Sequence, residues 1–235
     1  TWLNQEADQR LLFQSREARA QVDRYLFTRL NLARTLPRLP VMQKALSAPA
    51  SSEDRDELLR TLREAILDDP VNTISCAIVR PDGLVLASTA AGEEGRSEAG
   101  LGYLPLVLEG GGPITWVRQD EGAIRSLIVT GPIRTPGGEL VALLRWEMQP
   151  ALLTQLIQTS ATAQTHIVLI DDAGEVLAAA PPGQLPPELD WLAAPLDAPG
   201  WLDAEGQLRA SRAALKYAGW SIISAQPEAQ WSQLN

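Results

Sequence analysis

The chain has 235 residues, 45% of them hydrophobic, and its 29 acidic and 20 basic residues give a formal net charge of −9. This length and hydrophobic content predict a folded chain with one large core or two small ones. The acidic balance excludes nucleic acid and anionic membrane surfaces as main partners, because both favour clustered lysine and arginine. A single cysteine, Cys76, excludes an internal disulfide framework and a cysteine-based zinc site.

The first predicted element is one long amphipathic helix over residues 3–36. Its apolar residues recur at helical spacing among Arg, Glu and Gln: Leu11, Ala18, Val22, Tyr25, Leu26, Leu30, Ala33 and Leu36. At ~1.5 Å per residue the helix would be ~50 Å long, enough to run past two small modules. Pro37 and Pro40 end it, and a short turn is predicted over residues 41–46. A second helix follows over residues 53–67, with Ser51 or Ser52 near its cap.

Two stretches of similar pattern predict two β-hairpins about 90 residues apart. In residues 74–88 two apolar runs flank Arg80-Pro81-Asp82-Gly83, and in residues 166–180 they flank Asp171-Asp172-Ala173-Gly174. Asp and Gly tolerate the positive φ that tight turns need, so each stretch favours a hairpin. The repeat therefore predicts two small α/β modules in tandem.

Each hairpin is expected to belong to an antiparallel sheet. In the first module a short helix over residues 103–109 precedes strands over residues 114–118, 124–133 and 140–148, which would complete a five-stranded sheet. A connecting helix over residues 151–163 leads to the second hairpin. A loop over residues 181–199, with at most one helical turn, precedes the last strands at residues 201–202, 208–217 and 220–225. The predicted fold class is α+β.

Three groups of residues carry a resemblance to a known family. They are Asp82-Gly83 and Gly174 in the hairpins, Gly131-Pro132-Ile133 with Gly137-Gly138-Glu139-Leu140-Val141, and Tyr217-Ala218-Gly219-Trp220-Ser221-Ile222-Ile223 near the end. Together with the order of the elements, they make the chain similar to the double Cache (dCache) family of bacterial extracytoplasmic sensor domains. The resemblance covers nearly the whole chain. It implies a long N-terminal helix carrying two tandem PAS-like modules.

The resemblance also implies a division of the chain and a place in the cell. Residues 1–50 would form the spine helix and turn, 51–150 the membrane-distal module, 151–226 the membrane-proximal module and 227–235 an exit helix. Two flanking transmembrane helices would anchor the fragment outside the cell membrane, with a homodimer formed through the N-terminal helix. The cytoplasmic output would be a histidine kinase first, or else a chemoreceptor tail or a cyclic-dinucleotide enzyme.

In this family the distal module binds a small molecule, and five residues here are candidates for that role. Strand alternation places Trp116 and Arg118 on one face of their strand, and Arg145 and Glu147 on one face of theirs. The resemblance implies that Tyr103 takes the place of a ligand-binding tyrosine and that Glu147 takes the place of an acidic residue that binds an ammonium group.

The matching positions for the family's carboxylate-binding arginine and its tryptophan hold Gly100 and Gly102. The ligand is therefore expected to be an amine, an amino-acid-like compound or an organic acid, with Arg118 as an alternative source of positive charge. A simpler interpretation is that Arg145 and Glu147 only pair with their neighbours on a solvated face.

No catalytic residue, cofactor or metal is predicted in this fragment. The only histidine, His166, starts a strand, and the chain has no G-x-S-x-G motif. Two other functions stay open. A ligand-free interaction module would use the N-terminal helix only to dimerise a receptor, and a packed core of Tyr103, Trp116 and Leu143 with no cavity would favour it. A hydrolase would require a serine or an aspartate beside His166 in a cleft.

Overall fold

A single helix of 34 residues, α1 (Trp2–Thr35), begins the chain. Its buried side chains recur at helical spacing and form one stripe: Leu11, Ala18, Val22, Leu26, Leu30 and Ala33. A 3-10 turn, Leu36–Arg38, follows, because the central Pro37 lacks the amide hydrogen that an α-helix needs. The predicted long helix is confirmed to within one residue at each end.

The computed structural model describes residues 2–46, 51–120, 123–181, 189–202 and 208–227. The chain divides into two compact units, and α1 contributes to both. The first module comprises residues 26–150, and the second module comprises residues up to 25 together with those from 151 onward. Each module contains a five-stranded sheet, which confirms the predicted α+β class with a long N-terminal helix and two antiparallel sheets.

Two further helices, α2 (Pro40–Leu46) and α3 (Ser52–Ile66), follow α1. Residues 41–46 are helical and do not form the predicted turn, because Pro40 starts the helix at a position where its fixed φ is favourable and its missing amide hydrogen costs nothing. A capping box begins α3: the Asp54 amide donates to Ser51 Oγ, and the Ser51 amide donates to Asp54 Oδ2, both at 3.1 Å. Of the two predicted caps, Ser51 is the one used.

The sheet of the first module contains five antiparallel strands in the order β2-β1-β5-β4-β3. They are β1 (Thr73–Val79), β2 (Val85–Ser88), β3 (Ile114–Asp120), β4 (Ala123–Arg134) and β5 (Leu140–Met148). The first predicted hairpin is β1–β2, and Gly83 in its turn has a φ of 91°. Since β5 lies between β1 and β4, its inward-facing side chains lie at the centre of the sheet.

A short helix, α4 (Tyr103–Gly110), packs on one face of this sheet. Gly111 ends it in the left-handed conformation, at a φ of 66°. The core of the module lies between helix and sheet and consists of Ala77, Val79, Val85, Tyr103, Leu104, Val107, Ile128 and Leu143. Both the predicted helix and the predicted five-stranded sheet are confirmed.

The second module repeats this sheet order, as β7-β6-β10-β9-β8. Its elements are α5 (Ala151–Gln158), β6 (His166–Ile170), β7 (Val176–Ala180), β8 (Pro199–Trp201), β9 (Leu208–Ala214) and β10 (Ser221–Pro227). The hairpin predicted over residues 166–180 is confirmed as β6–β7. One 3-10 turn, Trp191–Ala193, lies between β7 and β8 and contributes Trp191 to the core.

Two elements of the second module are shorter than predicted. The helix α5 ends five residues early. Beyond it the Ser160 amide donates to the Ile157 carbonyl and the Ala161 amide to the Gln158 carbonyl, both at 3.2 Å. Such bonds to the third residue back tighten the last turn and end the α-helical pattern. Strand β9 ends at Ala214, because the Leu215 amide donates to the Trp220 carbonyl at 2.9 Å and closes a turn.

The predicted exit helix over residues 227–235 falls largely beyond the part of the chain that the structure describes. Its first residue, Pro227, is the last residue of β10, and residues 228–235 lie outside the described residues. Among the described helices, none has a stretch long and apolar enough to cross a membrane.

The two residues singled out for reactivity are both buried. Cys76 lies in β1 as a free thiol whose pKa is raised by burial to about 12, so it behaves as a small apolar side chain. His166 is also buried, and burial lowers its pKa. Its Nδ1 has no hydrogen-bond partner among the described residues, so the serine or aspartate that a hydrolase would need does not bond it there.

The last turns of α1 lie directly against the sheet of the first module. Arg29 donates from Nη2 to Asp69 Oδ2 at 3.0 Å, and its guanidinium lies 4.9 Å from the centre of the Trp146 ring. A Cβ at Gly131 in β4 would lie 2.7 Å from the Ala33 carbonyl oxygen. Only glycine allows this close approach between helix and strand.

We therefore expect Gly131→Ala to lower the free energy of unfolding by about 1–3 kcal/mol, since a methyl group is forced into a packed contact. Denaturant unfolding followed by circular dichroism measures the change. Gly100→Ala is the matched control, because a Cβ there meets no atom within 4 Å and should leave stability nearly unchanged. Equal effects of the two substitutions would contradict the close packing of α1 on β4.

Candidate functional site: a charged cavity in the first module

A buried guanidinium lies at the centre of the first module. Arg145 is in the central strand β5, opposite Ala77 of β1 and Thr130 of β4, and only 1% of its surface is exposed. Its side chain is on the same face of the sheet as Leu143, which belongs to the core beneath α4. A charge in such a position requires partners of opposite charge, because burial removes its hydration.

Three carboxylates surround the Arg145 guanidinium. Nη1 lies 2.6 Å from Glu147 Oε2 and 3.1 Å from Glu98 Oε1, and Nη2 lies 2.6 Å from Glu93 Oε2. Nη2 also donates to Ser75 Oγ at 3.0 Å. The glutamates come from two parts of the chain, since Glu147 is two residues further along β5 and the other two lie in the loop between β2 and α4.

Hydroxyl groups hold each of the three carboxylates. Ser88 donates to Glu93 Oε2 at 2.6 Å, and Ser126 donates to Glu147 Oε1 at 2.6 Å. The phenol of Tyr103 donates to Glu98 Oε2. These bonds fix the carboxylates around Arg145 and reduce the cost of placing three negative charges in a buried or partly buried position.

The pKa values follow from this arrangement. Burial alone would lower the pKa of Arg145, but the carboxylates of Glu98, Glu93 and Glu147 outweigh it and raise that pKa. Burial alone would raise the pKa of Glu93, but bonds from Ser88 and Arg145 outweigh it and lower that pKa. The pKa of Tyr103 is raised, first by burial and then by Glu98. Arg145 and Glu93 are therefore both ionised at neutral pH.

A small polar cavity of about 80 Å³ lies beside this cluster. Its lining includes Glu93, Glu98, Arg118 and Arg145, together with Arg96 at the loop. The volume exceeds the roughly 10–15 Å³ that one water needs and is well below the roughly 300–1,000 Å³ of pockets for drug-sized ligands. The cavity as it stands thus accommodates a molecule of a few heavy atoms.

The structure brings all five residues predicted for the site together. Arg145 and Glu147 form the centre, Tyr103 reaches it through Glu98, and Arg118 Nη1 lies 3.8 Å from Glu147 Oε1. The Trp116 ring lies 6.0 Å from that of Tyr103, centre to centre, at an angle of 52°. Arg145 and Glu147 do pair with each other, but both are buried, so the alternative of a solvated face is wrong.

The two glycines at positions matching the family's arginine and tryptophan differ in their surroundings. A Cβ at Gly102 would lie 3.3 Å from Cζ2 of Trp116, so the indole from β3 occupies the space of a side chain there. A Cβ at Gly100 would meet no atom within 4 Å. Position 100 therefore supplies no cation in place of the family's arginine. Arg118 of β3 is one of the arginines that line the cavity instead.

The sequence interpretation missed Glu93 and Glu98, because the Gly-rich stretch around them is typical of a solvated loop. A signal for them did exist. Strand alternation already placed Arg145 on the inner face of β5, and a buried guanidinium needs more than the single carboxylate of Glu147. The two glutamates in the loop that leads to α4 were the available partners.

The described residues contain no group of three or more His, Cys, Asp or Glu side chains that could hold a metal ion. The three glutamates instead converge on the Arg145 guanidinium, which occupies the position where a cation would otherwise bind. The chemistry available at this site is the recognition of charge and hydrogen-bonding groups.

No family model and no curated protein matches the sequence, but solved structures do. The ligand-binding domain of the Campylobacter jejuni chemoreceptor Tlp3 in complex with L-valine matches with a TM-score of 0.71 and 11% identity, over 99% of this chain and 97% of that one. The ligand-binding domain of the Pseudomonas fluorescens chemoreceptor CtaA in complex with L-isoleucine matches with a TM-score of 0.70 and 10% identity, over 99% of this chain and 97% of that one. The sensor domain of the V. cholerae histidine kinase DctB matches with a TM-score of 0.64 and 17% identity, over 96% of this chain and 97% of that one.

The chain has the double Cache fold. The resemblance read from the hairpins and the closing Gly-Trp strand is thereby confirmed at the level of the fold. Within a double Cache fold, the charged cavity lies in the module that contains α4, between the sheet and the loop that leads to this helix.

We expect Arg145→Met to lower the free energy of unfolding by about 3–5 kcal/mol near pH 7, because it leaves the buried carboxylate of Glu147 and the partly buried carboxylates of Glu93 and Glu98 without their central cation. Denaturant unfolding at several pH values measures the loss. The folded-state pKa of Glu93 is lowered from 4.5, so its contribution to stability is present above that pH and is lost as the pH falls below it. The difference between wild type and variant should therefore shrink below about pH 4.5.

Arg145→Lys is the matched replacement, because it retains the charge but loses the planar guanidinium group whose N–H donors reach four acceptors. It should cost less than Arg145→Met. A loss of stability that is equal for both variants and independent of pH would contradict an electrostatic role for Arg145.

Proposed function

We propose that this chain is the extracytoplasmic ligand-sensing domain of a bacterial membrane signal-transduction protein and is not an enzyme. The observation that carries the proposal is its likeness, over nearly its whole length, to sensor domains of two receptor classes, chemoreceptors and a histidine kinase. At 10–17% identity this likeness concerns the fold, and a fold alone does not determine a function. The chemistry must therefore come from the charged cavity.

The ligand that fits the cavity best is a small compound that carries an ammonium group. Three carboxylates surround the fully buried guanidinium of Arg145, and the two other arginines that line the cavity, Arg118 and Arg96, lie on its exposed side. The charges of the six groups balance, but the buried part of the cluster holds more carboxylates than guanidinium groups. An ammonium group at that end would form charge-assisted hydrogen bonds with Glu93 and Glu98, which line the cavity.

A second feature favours an amine that also carries an acceptor. Nη1 and Nη2 of Arg145 are bonded to protein, but its buried Nε has no hydrogen-bond partner among the described residues. A hydroxyl oxygen on the ligand would satisfy this donor, whereas an unpaired buried donor costs free energy. An amino alcohol of a few heavy atoms meets both requirements within the cavity's volume.

The larger architecture belongs to the same proposal. Residues 51–150 form the membrane-distal sensing module, residues 151–226 the proximal module, and residues 227–235 lead to a transmembrane segment. The protein is anchored in the cell membrane by flanking helices and dimerises through α1, with a histidine kinase as its output. Binding displaces α1 or the exit segment slightly and so biases a two-state dimer.

A ligand-free interaction module is the second candidate, and one observation favours it. Tyr103 and Leu143 share the core of the first module, and Trp116 packs against that core. This packing meets one of the two conditions expected for a module that only supports a receptor dimer; the other condition is that no cavity is present. The polar cavity beside the core favours the sensing function instead.

Thermal unfolding of the chain with and without ligands distinguishes the sensing function from the ligand-free interaction module. Ethanolamine or methylamine at 100 times its dissociation constant should add about 2.7 kcal/mol to stability. For a chain of this length, that addition corresponds to a rise in Tm of about 5–10 °C. Acetate at equal ionic strength should give no rise, since it has no ammonium group for Glu93 and Glu98 to bind.

Glu98→Gln should weaken the binding of the amine about tenfold, because it retains the size of the side chain but removes a charge. The matched control is Glu94→Gln in the same loop, where the carboxylate pairs outward with Arg55. If no amine raises the Tm, or if both variants behave alike, the sensing proposal for this cavity is wrong. If none of the tested compounds raises the Tm and the chain forms a stable dimer, the second candidate function is established.

A further inference from the structure

A larger pocket lies elsewhere in the first module, away from the lining of the charged cavity. Its volume is about 590 Å³, and its walls come from the end of α1, the following 3-10 turn, the loop after α4 and the end of β4. Three arginines line it: Arg34, Arg38 and Arg134. No residue is shared with the cavity beside Arg145.

No carboxylate occurs among the described residues that line this pocket. Within the part of the chain that the structure describes, none of the three arginines forms an ion pair. Arg34 donates to the Asn31 side chain at 3.1 Å, and Arg134 donates to the Gly138 carbonyl at 3.0 Å, so both known partners are neutral. Such a concentration of positive charge contrasts with the net charge of −9 of the whole chain.

Helix dipoles do not account for three arginines. Arg34 lies in the last turn of α1. A Cβ built on Gly111, at the end of α4, would lie 3.7 Å from Arg134 Nη2. Each helix C-terminus is equivalent to roughly half a negative charge. Two such ends offset about one of the three positive charges, which leaves an excess of about two.

The shape of the pocket is largely fixed by its walls. Four prolines line it, Pro37, Pro113, Pro132 and Pro136, and the proline ring restricts the backbone. Gln43 of α2 donates to the carbonyls of Pro37 at 2.8 Å and Arg134 at 3.0 Å, which joins two walls. A preformed pocket loses little entropy on binding, and the volume lies within the range for small-molecule sites, about 300–1,000 Å³.

We propose that this arginine pocket is a second ligand site, which binds a small polyanion carrying two or more carboxylate or phosphate groups. The guanidinium fork matches both groups through paired N–H donors. Because Ala33 and Arg34 of α1 help to form the pocket, an anion bound there contacts the helix shared by both modules. The site is independent of the amine cavity and of the function proposed for it.

Isothermal titration calorimetry of the whole chain at constant ionic strength tests the proposal, with citrate and pyrophosphate as probes and acetate as a monovalent control. We expect citrate, pyrophosphate or both to bind, and acetate not to bind. The better probe indicates whether carboxylate or phosphate is the preferred group. Arg38→Gln and Arg134→Gln should each weaken binding about tenfold, whereas Arg63→Gln, an exposed arginine in the last turn of α3, should leave it unchanged.

A second pair of variants tests the position of the site without removing an arginine. A Cβ at Gly112, which lines the pocket, or at Gly110, which does not, would meet no atom within 4 Å. Gly112→Glu should abolish binding, because its own carboxylate enters the pocket and repels the probe, while Gly110→Glu should reduce it far less. Failure of both probes to bind, or equal losses in either matched pair, would overturn the proposal. Binding that survives Glu98→Gln would separate this site from the amine cavity.

Discussion

The first module depends on the burial of one guanidinium. Arg145 lies at the centre of the sheet with 1% of its surface exposed, and three carboxylates lie within 3.1 Å of it. Because a buried charge without partners is very unfavourable, the loop that carries Glu93 and Glu98 is bound to the sheet by electrostatic attraction. The position of α4, which follows that loop, is coupled to the same interaction through Tyr103. A ligand that competes for these carboxylates would therefore act on both loop and helix.

The fold was largely predictable from local patterns. Asp82-Gly83 and Gly174 predicted both hairpins, because glycine is needed where the chain turns at positive φ. The differences occur at the ends of elements: Pro40 begins a helix although it also suggests a break, and α5 ends in a tightened turn after Gln158, five residues before the predicted end. The site was only half predictable. Strand alternation placed Trp116 with Arg118, and Arg145 with Glu147, each pair on one face of its own strand. Glu93 and Glu98 join them through a loop whose path no sequence periodicity reveals.

The first module holds two sites of different electrostatic character on neighbouring strands. The cavity beside β5 is lined by both carboxylates and arginines, whereas the charged residues that line the pocket at the end of β4 are all arginines. Both are connected to elements that ligands could displace, the loop before α4 in one case and the end of α1 in the other. Two ligands that favour the same conformation of the module would bind cooperatively, because each shifts the same equilibrium.

A crystal structure of the chain with ethanolamine would decide whether the cavity beside Arg145 binds an amine. We expect density for the compound in this cavity, with its ammonium nitrogen within hydrogen-bond distance of at least two of Glu93, Glu98 and Glu147. An empty cavity at saturating concentration, with all three carboxylates still bound to Arg145, would contradict it. So would ethanolamine bound only in the second module.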